Sequence, residues 1–205
     1  MNFSSENQLP GWSQDVLSKH ASKNSDQLSI GIVTYGSLLH PEEVQNLFGL
    51  GERDQIKVTV SGYRRCFNKR IADHIYRETG PDKTAVLNVE RASSEWFNGL
   101  LLGPIQASAF KQYAFREKDY ELEALQPDAI EVYPDEEESA LAEFNSLYTC
   151  LLDNEDARCN SIEPVPSYLD LCLEGALSHG EDFLDDFKRS TYVKESLLVD
   201  YLSGP

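Results

Sequence analysis

The sequence is poor in positive charge. Its 205 residues include 18 Lys and Arg against 35 Asp and Glu, which gives a net charge of -17 at pH 7. A protein of this charge repels the phosphate backbone of nucleic acids and the anionic surface of membranes. We therefore expect neither a nucleic acid nor a membrane among its partners.

Long apolar runs are missing as well. No stretch approaches the roughly 18 apolar residues that a membrane-spanning helix needs. The N-terminus also lacks a basic region followed by an apolar segment, which is the pattern of a secretory signal. These two absences predict a cytoplasmic protein.

Cysteine and histidine are sparse, with four of each. The cysteines form no C-x-x-C pair and the histidines form no H-E-x-x-H motif, so their spacing does not indicate a zinc site. We interpret the cysteines as free structural thiols and predict no metal. They are Cys66, Cys150, Cys159 and Cys172.

The rest of the composition is ordinary for a globular protein, with 40% hydrophobic and 10% aromatic residues. Residues 1–27 are polar and predict an N-terminal surface extension, in which "WSQDVLSKHA" could form a short amphipathic helix. Residues 28–205 predict a single domain, because this length suits one substantial core.

The stretch "IVTYGSLLHPEE", residues 32–43, predicts a strand, a compact corner and a helix. The β-branched residues favour a strand, and Pro41 with the two glutamates after it favours a first helical turn. Free N–H groups in such a corner can hold a carboxylate. Two alternatives remain open. Ser37 could simply cap the next helix, or it could be a nucleophile, although Leu39 stands where a G-x-S-x-G elbow has glycine.

The remaining pattern predicts strands in several non-alternating pieces and helices towards the end. "QIKVTVSGYRRCFNKR" indicates a half-buried strand with a bulge at Gly62, and "KTAVLNVERASSEWFNGLLLGPI" indicates a hairpin of two strands joined by "RASSE". "DEEESALAEFNSLYTCLLDNEDARC" predicts a helix or an inserted hairpin element. Further predictions are a helix over 107–116, short strands in "YELEAL" and "DAIEVYP", a loop over 72–82, and two helices separated at Gly180. This order indicates an α+β fold, with a small closed or partly closed barrel and flanking helices.

Two more residues stand in chemically suggestive surroundings. Glu117 lies in "FREKDY", a mixed-charge stretch typical of a surface turn, but a carboxylate beside Phe115 and Tyr120 could also be a general base with a raised pKa. Tyr168 shares a helical face with Gly175, which permits close packing on another backbone. A tyrosine on such a face could belong to the core or contact a ligand.

Five segments, taken in order, resemble the γ-glutamylcyclotransferase family over roughly residues 29–190. They are "TYGSLL", "SGYRRCF", "AVLNVERASSEWFNGLLL", "FREKDYEL" and "PSYLDLCLEGALSHG". The resemblance implies a small mixed β-barrel with helices, in agreement with the α+β prediction. It also implies an intramolecular aminolysis, in which the α-amine of a γ-glutamyl group attacks its own side-chain carbonyl. The products are 5-oxoproline and an amine, and no metal or cofactor is required.

The resemblance also implies roles for individual residues. Glu117 matches the general acid/base carboxylate of the family. Tyr168 matches a tyrosine that lines the pocket. The corner would bind the glutamyl α-carboxylate through main-chain donors, and it consists of Tyr35, Gly36, Ser37 and Leu38.

Within the family, "YGSLL", "GYRRCF" and "REKDY" look closest to the glutathione-specific branch. The expected substrate is a γ-glutamyl peptide or amine, with glutathione as one candidate. The chain has Leu39-His40 where that branch carries a Trp, and "KDY" where it has a Gly before the Tyr. Because the protein is acidic, an anionic substrate would depend on Arg64, Arg65 or Arg116. The alternative function is a γ-glutamyl-binding module of the same fold without turnover.

Overall fold

The structure is a computed structural model that describes residues 9–20, 26–71 and 84–204. The α-helices in these ranges are α1 (Gly11–His20), α2 (Pro41–Phe48), α3 (Ala107–Arg116), α4 (Pro166–Ser178), α5 (Glu181–Arg189) and α6 (Leu198–Ser203). The strands are β1 (Gln27–Leu28), β2 (Ile30–Thr34), β3 (Gln55–Arg70), β4 (Ala85–Leu102), β5 (Ile105–Gln106), β6 (Glu121–Leu125), β7 (Ile130–Val132), β8 (Ser146–Leu151), β9 (Thr191–Val193) and β10 (Ser196–Leu197). Short 3₁₀ helices cover Ser37–Leu39, Glu52–Asp54, Pro127–Ala129, Glu138–Glu143 and Glu155–Ala157.

Strands β1 and β5 form a two-stranded antiparallel sheet, and the other strands form a mixed sheet, which confirms the α+β class. Its order is β10, β9, β3, β4, β2, β8 and β6, and β7 pairs with β3 outside this path. The ladders β2–β8 and β3–β9 are parallel, and the other ladders of this sheet are antiparallel. Among the described strands, no ladder joins β10 to β6, so the pairing leaves the predicted barrel open at these two ends.

The predicted hairpin between residues 83 and 105 is wrong, because β4 is one continuous strand. It pairs with β3 from Gln55 opposite Leu102 to Arg70 opposite Ala85. The polar "RASSE" residues lie within β4, where the register shifts opposite Gly62. Gly62 has φ 87°, as the predicted bulge requires. A polar stretch in a strand thus marks a bulge that faces solvent, and the ladder resumes beyond it.

The predicted helix over the acidic segment is also wrong. The chain forms the 3₁₀ helix Glu138–Glu143 and then β8, which runs parallel to β2 from Ser146 opposite Ile30. All but the first residue of β8 are buried. A short apolar run that is buried on both faces carries no period of two, so its spacing also fits a helix face.

The predicted strand and helices around the corner are confirmed. β2 is buried at every position between β4 and β8, and α2 begins at Pro41 as predicted. Helix α4 packs directly on the 3₁₀ helix after the corner, since a Cβ on Gly175 would lie 2.7 Å from the backbone nitrogen of His40. The predicted close packing at Gly175 is therefore confirmed, and it fixes α4 against the corner.

Part of the predicted N-terminal extension packs on the domain. The predicted short helix is α1, in which Val16 is buried and Trp12 contacts the ring of Phe110 edge-on at 6.1 Å. The indole N–H of Trp12 also donates to the backbone oxygen of Tyr120 at 2.9 Å.

The division of the chain at residue 27 stays a prediction, and the predicted loop over 72–82 lies outside the described residues. In the part of the chain that the structure covers, no helix has the length and apolar character to cross a membrane.

Candidate functional site

A cavity opens where β2 ends, between α3, α4 and β8. It encloses about 350 Å³ of space between protein atoms, part of which is open to solvent. The structure brings all of the sequence-predicted site residues to its wall: the corner from Tyr35 to Leu38, Glu117 and Tyr168. These residues come from three separate segments, so the sheet and the packing of α4 create the site.

The corner residues line this cavity, and their backbone turns into a 3₁₀ helix there. This 3₁₀ helix begins with the bonds from Leu39 N–H to Gly36 O (2.9 Å) and from His40 N–H to Ser37 O (3.1 Å). The amides of Ser37 and Leu38 precede these bonds and have no acceptor within the turn. Such amides can hold a carboxylate or an oxyanion.

The side chain of Ser37 does not cap α2, whose N-cap is His40, so that alternative is wrong. Its hydroxyl accepts a hydrogen bond from Nη2 of Arg116 at 2.9 Å. A guanidinium has no lone pair to accept a proton, so this partner cannot serve as the base that a nucleophilic serine needs. The geometry therefore does not favour a serine nucleophile.

Glu117 lies at the C-terminal end of α3 and is largely buried. Its backbone N–H donates to Tyr113 O at 2.9 Å, which continues the helix, and its side chain is 18% exposed. Burial raises the pKa of the Glu117 carboxyl, although the positive charges of Arg116 and Lys69 act in the opposite direction. A carboxyl with a raised pKa can both accept and return a proton. Glu117 is thus not part of an exposed turn.

Tyr168 reaches from α4 to the corner. Its ring packs edge-on against Phe67, with centroids 6.3 Å apart, and its hydroxyl lies so close to Gly36 that a Cβ there would be 2.7 Å from the oxygen. Burial raises the pKa of Tyr168 well above its ordinary value. The hydroxyl therefore stays protonated and can donate a hydrogen bond.

Similar solved structures identify the fold. YkqA from Bacillus subtilis matches with a TM-score of 0.56 and 16% identity, over 91% of this chain and 60% of YkqA. A protein named gamma-glutamyl cyclotransferase matches with a TM-score of 0.50 and 12% identity, over 78% of this chain and 86% of its own. The chain has a γ-glutamylcyclotransferase-like fold. An uncharacterized protein from Homo sapiens matches with a TM-score of 0.51 and 12% identity, over 77% and 85%. No protein-family model matches the sequence, and no curated protein does.

In this γ-glutamylcyclotransferase-like fold, the cavity is also lined by Tyr120, which the sequence placed beside Glu117, and by Tyr113 and Cys150, which the sequence did not indicate as site residues. The hydroxyl of Tyr113 lies 2.9 Å from Sγ of Cys150, and Tyr120 donates its hydroxyl to Leu87 O at 2.7 Å. Burial raises the pKa of all three of these side chains. Cys150 was missed because β8 was predicted as a helix. Phe115, predicted beside Glu117, is 46% exposed, so Tyr120 is the neighbour that lines the cavity.

The arginines expected to compensate an anionic substrate lie in different surroundings in this γ-glutamylcyclotransferase-like fold. Arg64 binds Glu90 at 2.6 Å, and Arg65 is fully buried. Arg116 contacts the side chains of two lining residues, Ser37 at 2.9 Å and Glu117 at 3.3 Å. Lys69, whose side chain is 12% exposed, lies 3.6 Å above the ring of Tyr120. The sequence did not indicate Lys69 as a cation near the site.

No metal site is evident in the described ranges, where no three or more His, Cys, Asp and Glu side chains are grouped to hold a metal ion. The residues that line the cavity of the γ-glutamylcyclotransferase-like fold carry hydroxyl groups, one thiol and one carboxyl in addition to their main-chain amides. This set suits proton transfer and the binding of an anionic group.

Replacing Gly36 by Ala tests the contact between the corner and α4. The new Cβ would lie 2.7 Å from the hydroxyl oxygen of Tyr168, so we expect a loss of about 1–3 kcal/mol in the free energy of unfolding. Tyr168→Phe removes that oxygen, and the double variant should regain part of the loss. Urea unfolding measures all three variants. Gly51→Ala is the control, because its Cβ would meet no atom closer than 3.9 Å. A double variant that regains nothing would contradict the close approach of Tyr168.

Proposed function

We propose that the protein is a γ-glutamyl cyclotransferase, which converts a γ-glutamyl peptide or amine into 5-oxoproline and the released amine. The observation that carries the proposal is a buried carboxyl with a raised pKa, Glu117, in the same cavity as the free amides of the corner. The fold shared with a gamma-glutamyl cyclotransferase supports the same function.

In the proposed reaction, the Glu117 carboxylate accepts a proton from the α-ammonium of the substrate. The neutral nitrogen then attacks the γ-carbonyl carbon, and the carbonyl electrons move to oxygen to give a tetrahedral oxyanion. When this intermediate collapses, Glu117 returns its proton to the leaving nitrogen as the bond to that nitrogen breaks, and a second proton of the former ammonium remains on the ring nitrogen. The Glu117 carboxylate then accepts this second proton and passes it to the released amine, which leaves as an ammonium ion. One carboxyl therefore acts as base and then as acid for both protons, and protons balance over the cycle.

The corner would bind the substrate and stabilise the charge that develops during the reaction. The amides of Ser37 and Leu38 would hold the α-carboxylate or stabilise the oxyanion, with the hydroxyl of Tyr168 beside them. Because ring closure is unimolecular, holding the glutamyl chain folded can contribute an effective molarity of about 10⁵ M or more. This chemistry requires no metal and no cofactor.

The remaining parts of the proposal concern partners and location. The partner is a small γ-glutamyl compound, glutathione being one candidate, and neither nucleic acid nor membrane takes part. A cytoplasmic location is supported by the four cysteines, all of which are free thiols.

The test is incubation of the purified protein with glutathione and a panel of γ-glutamyl amino acids, with 5-oxoproline followed by mass spectrometry. We expect equal amounts of 5-oxoproline and free amine from at least one compound. Saturable binding of these compounds without any 5-oxoproline would contradict catalysis and support the binding module. Labelling of Ser37 by a fluorophosphonate would instead support a serine hydrolase.

A further inference from the structure

Each nitrogen of the Arg116 guanidinium contacts a different part of the site. Nη1 donates to Glu43 on α2 at 2.8 Å, and Nη2 donates to the Ser37 hydroxyl in the corner at 2.9 Å. Nε lies 3.3 Å from Oε1 of Glu117. One side chain therefore connects the first turn of α2, the corner and the candidate acid/base carboxyl.

The shape of the guanidinium makes these contacts interdependent. The group is planar and rigid, so fixing one of its nitrogens fixes the directions of the other two. Glu43 and Arg116 lie on helices that pack against each other, α2 and α3, and their ion pair holds the guanidinium from outside. The distance between the hydroxyl of Ser37 and the carboxyl of Glu117 is then set by Arg116.

We propose that Arg116 is a positioning residue, which holds the carboxyl of Glu117 and the corner at Ser37 in a fixed mutual geometry, with Glu43 as its anchor. It acts through these groups and does not itself take part in proton transfer. The inference rests on the proposed function for its kinetic consequence, but the geometric part applies to the corner whether or not the protein turns over a substrate.

A purely electrostatic role is the competing explanation. Arg116 and Lys69 both lower the pKa of Glu117, and Asp119 raises it. The other titratable groups whose charges couple to Glu117 come from the corner, α3, β8, α4 and the turn before β6, and they are Tyr35, Tyr113, Cys150, Tyr168 and Tyr120. Lys69 contacts Asp119 at 3.9 Å and the Tyr120 ring, and neither belongs to the corner. Lys69→Met therefore removes a comparable charge without freeing Ser37.

The kinetic test compares Arg116→Lys, Arg116→Gln and Lys69→Met over the pH range of the reaction. Loss of a positive charge raises the pKa of Glu117, so Arg116→Gln and Lys69→Met should move the acid limb of kcat/KM to higher pH. Arg116→Lys keeps the positive charge but loses the planar guanidinium with its three nitrogens. The acid limb of its kcat/KM profile should therefore lie at the same pH as in the wild type. Only the two Arg116 variants should lower kcat on the plateau, by about 10-fold or more. Wild-type plateau rates in both, or an equal loss in Lys69→Met, would overturn the proposal.

Hydrogen exchange gives a readout that does not depend on turnover. In Arg116→Gln, the hydrogen-bonded amides of Leu39 and His40 should exchange faster than in the wild type, because the corner has lost its hydrogen bond to Arg116 on α3. In Lys69→Met, the exchange rates of these two amides should equal those of the wild type. The thermal unfolding midpoint of each variant shows whether it is folded. Unchanged exchange in Arg116→Gln would overturn the positioning role. If the wild type made no 5-oxoproline but exchange rose as expected, the proposed function would fail and the positioning role would stand.

Discussion

Glu117→Gln is expected to abolish most of the 5-oxoproline formation while the protein stays folded. Glutamine has nearly the same shape, but it cannot accept a proton from the α-ammonium or return one to the leaving nitrogen. Loss of a general acid/base group lowers the rate by about 10²–10⁴-fold. The measurement is kcat/KM with the best γ-glutamyl substrate. Glu174→Gln is the matched control, because Glu174 is an exposed carboxylate on α4 and should retain the wild-type rate.

The same variant should be more stable than the wild type at neutral pH. Burial raises the pKa of Glu117 above its ordinary value of 4.5, so the folded state binds its proton more tightly than the unfolded state does. Stability from this group is therefore greatest below the unfolded pKa, and it is lost as the pH rises through the folded pKa. Glutamine never ionises, so its advantage in thermal unfolding midpoint should be present at neutral pH and vanish in acid.

Two results would argue against Glu117 as the acid/base group. The first is a variant that retains the wild-type kcat/KM, which would require another proton acceptor in the cavity. The second is a lower unfolding midpoint for Glu117→Gln at neutral pH, which would mean that the carboxylate is stabilised by its surroundings and has no raised pKa. Calorimetric binding of the substrate to the variant separates chemistry from binding, since binding should persist.

The strands and helices with a clear period could be predicted from the sequence. The alternation in β3 and the Pro and Gly residues that bound α2 are local signals, and the structure has both elements where they were expected. β8 was mistaken for a helix because its neighbours β2 and β6 bury an apolar run that has no alternation of its own. β4 was split because a polar bulge resembles a connection. Both errors concern how strands are paired, which depends on distant residues.

The candidate site shows the same division between local and distant information. The corner and the helix that carries Tyr168 are local motifs, so their residues could be named in advance. Their meeting around Glu117 depends on the sheet order and on the fit of Gly175 against the corner. The contacts of Arg116 depend on the same packing, and no spacing in the sequence encodes them. Sequence motifs could thus name candidates for the site but could not give its geometry.

Arg65 is the clearest case in which composition misled the interpretation. Its charge suggested a cation that an anionic substrate could reach, yet its side chain is fully buried. Its guanidinium donates to oxygens of Asn98, Thr191, Phe187 and Ser190, at distances between 2.6 and 3.1 Å, and to Tyr35 O at 3.4 Å. Burial lowers the pKa of Arg65 to about 9, so it remains charged at neutral pH.

Neutral oxygens can stabilise the positive charge of Arg65 because one of them lies at the C-terminal end of a helix. Phe187 O and the residues after it form the C-terminal end of α5, which carries the negative end of the helix dipole. The guanidinium also lies 3.9 Å from the centroid of the Phe187 ring, in a cation–π contact. The contact with Tyr35 O connects this buried network to the corner of the candidate site.

We expect Arg65→Met to lower the free energy of unfolding by about 2–5 kcal/mol, because several buried neutral oxygens lose a charged donor and each group left unsatisfied costs about 1–3 kcal/mol. Methionine fills much of the volume and removes the cost of burying a charge, but it takes the Arg65 donors away from the backbone and side-chain oxygens of Asn98. Arg65→Lys should also be destabilised, because one ammonium cannot reach acceptors on β4, α5 and β9. The measurement is urea unfolding, with Arg64→Met as the neighbouring control. Arg64 pairs with Glu90 nearer the surface and should cost about 1 kcal/mol. Equal stability of the two methionine variants would show that Arg65 does not support α5 and the corner.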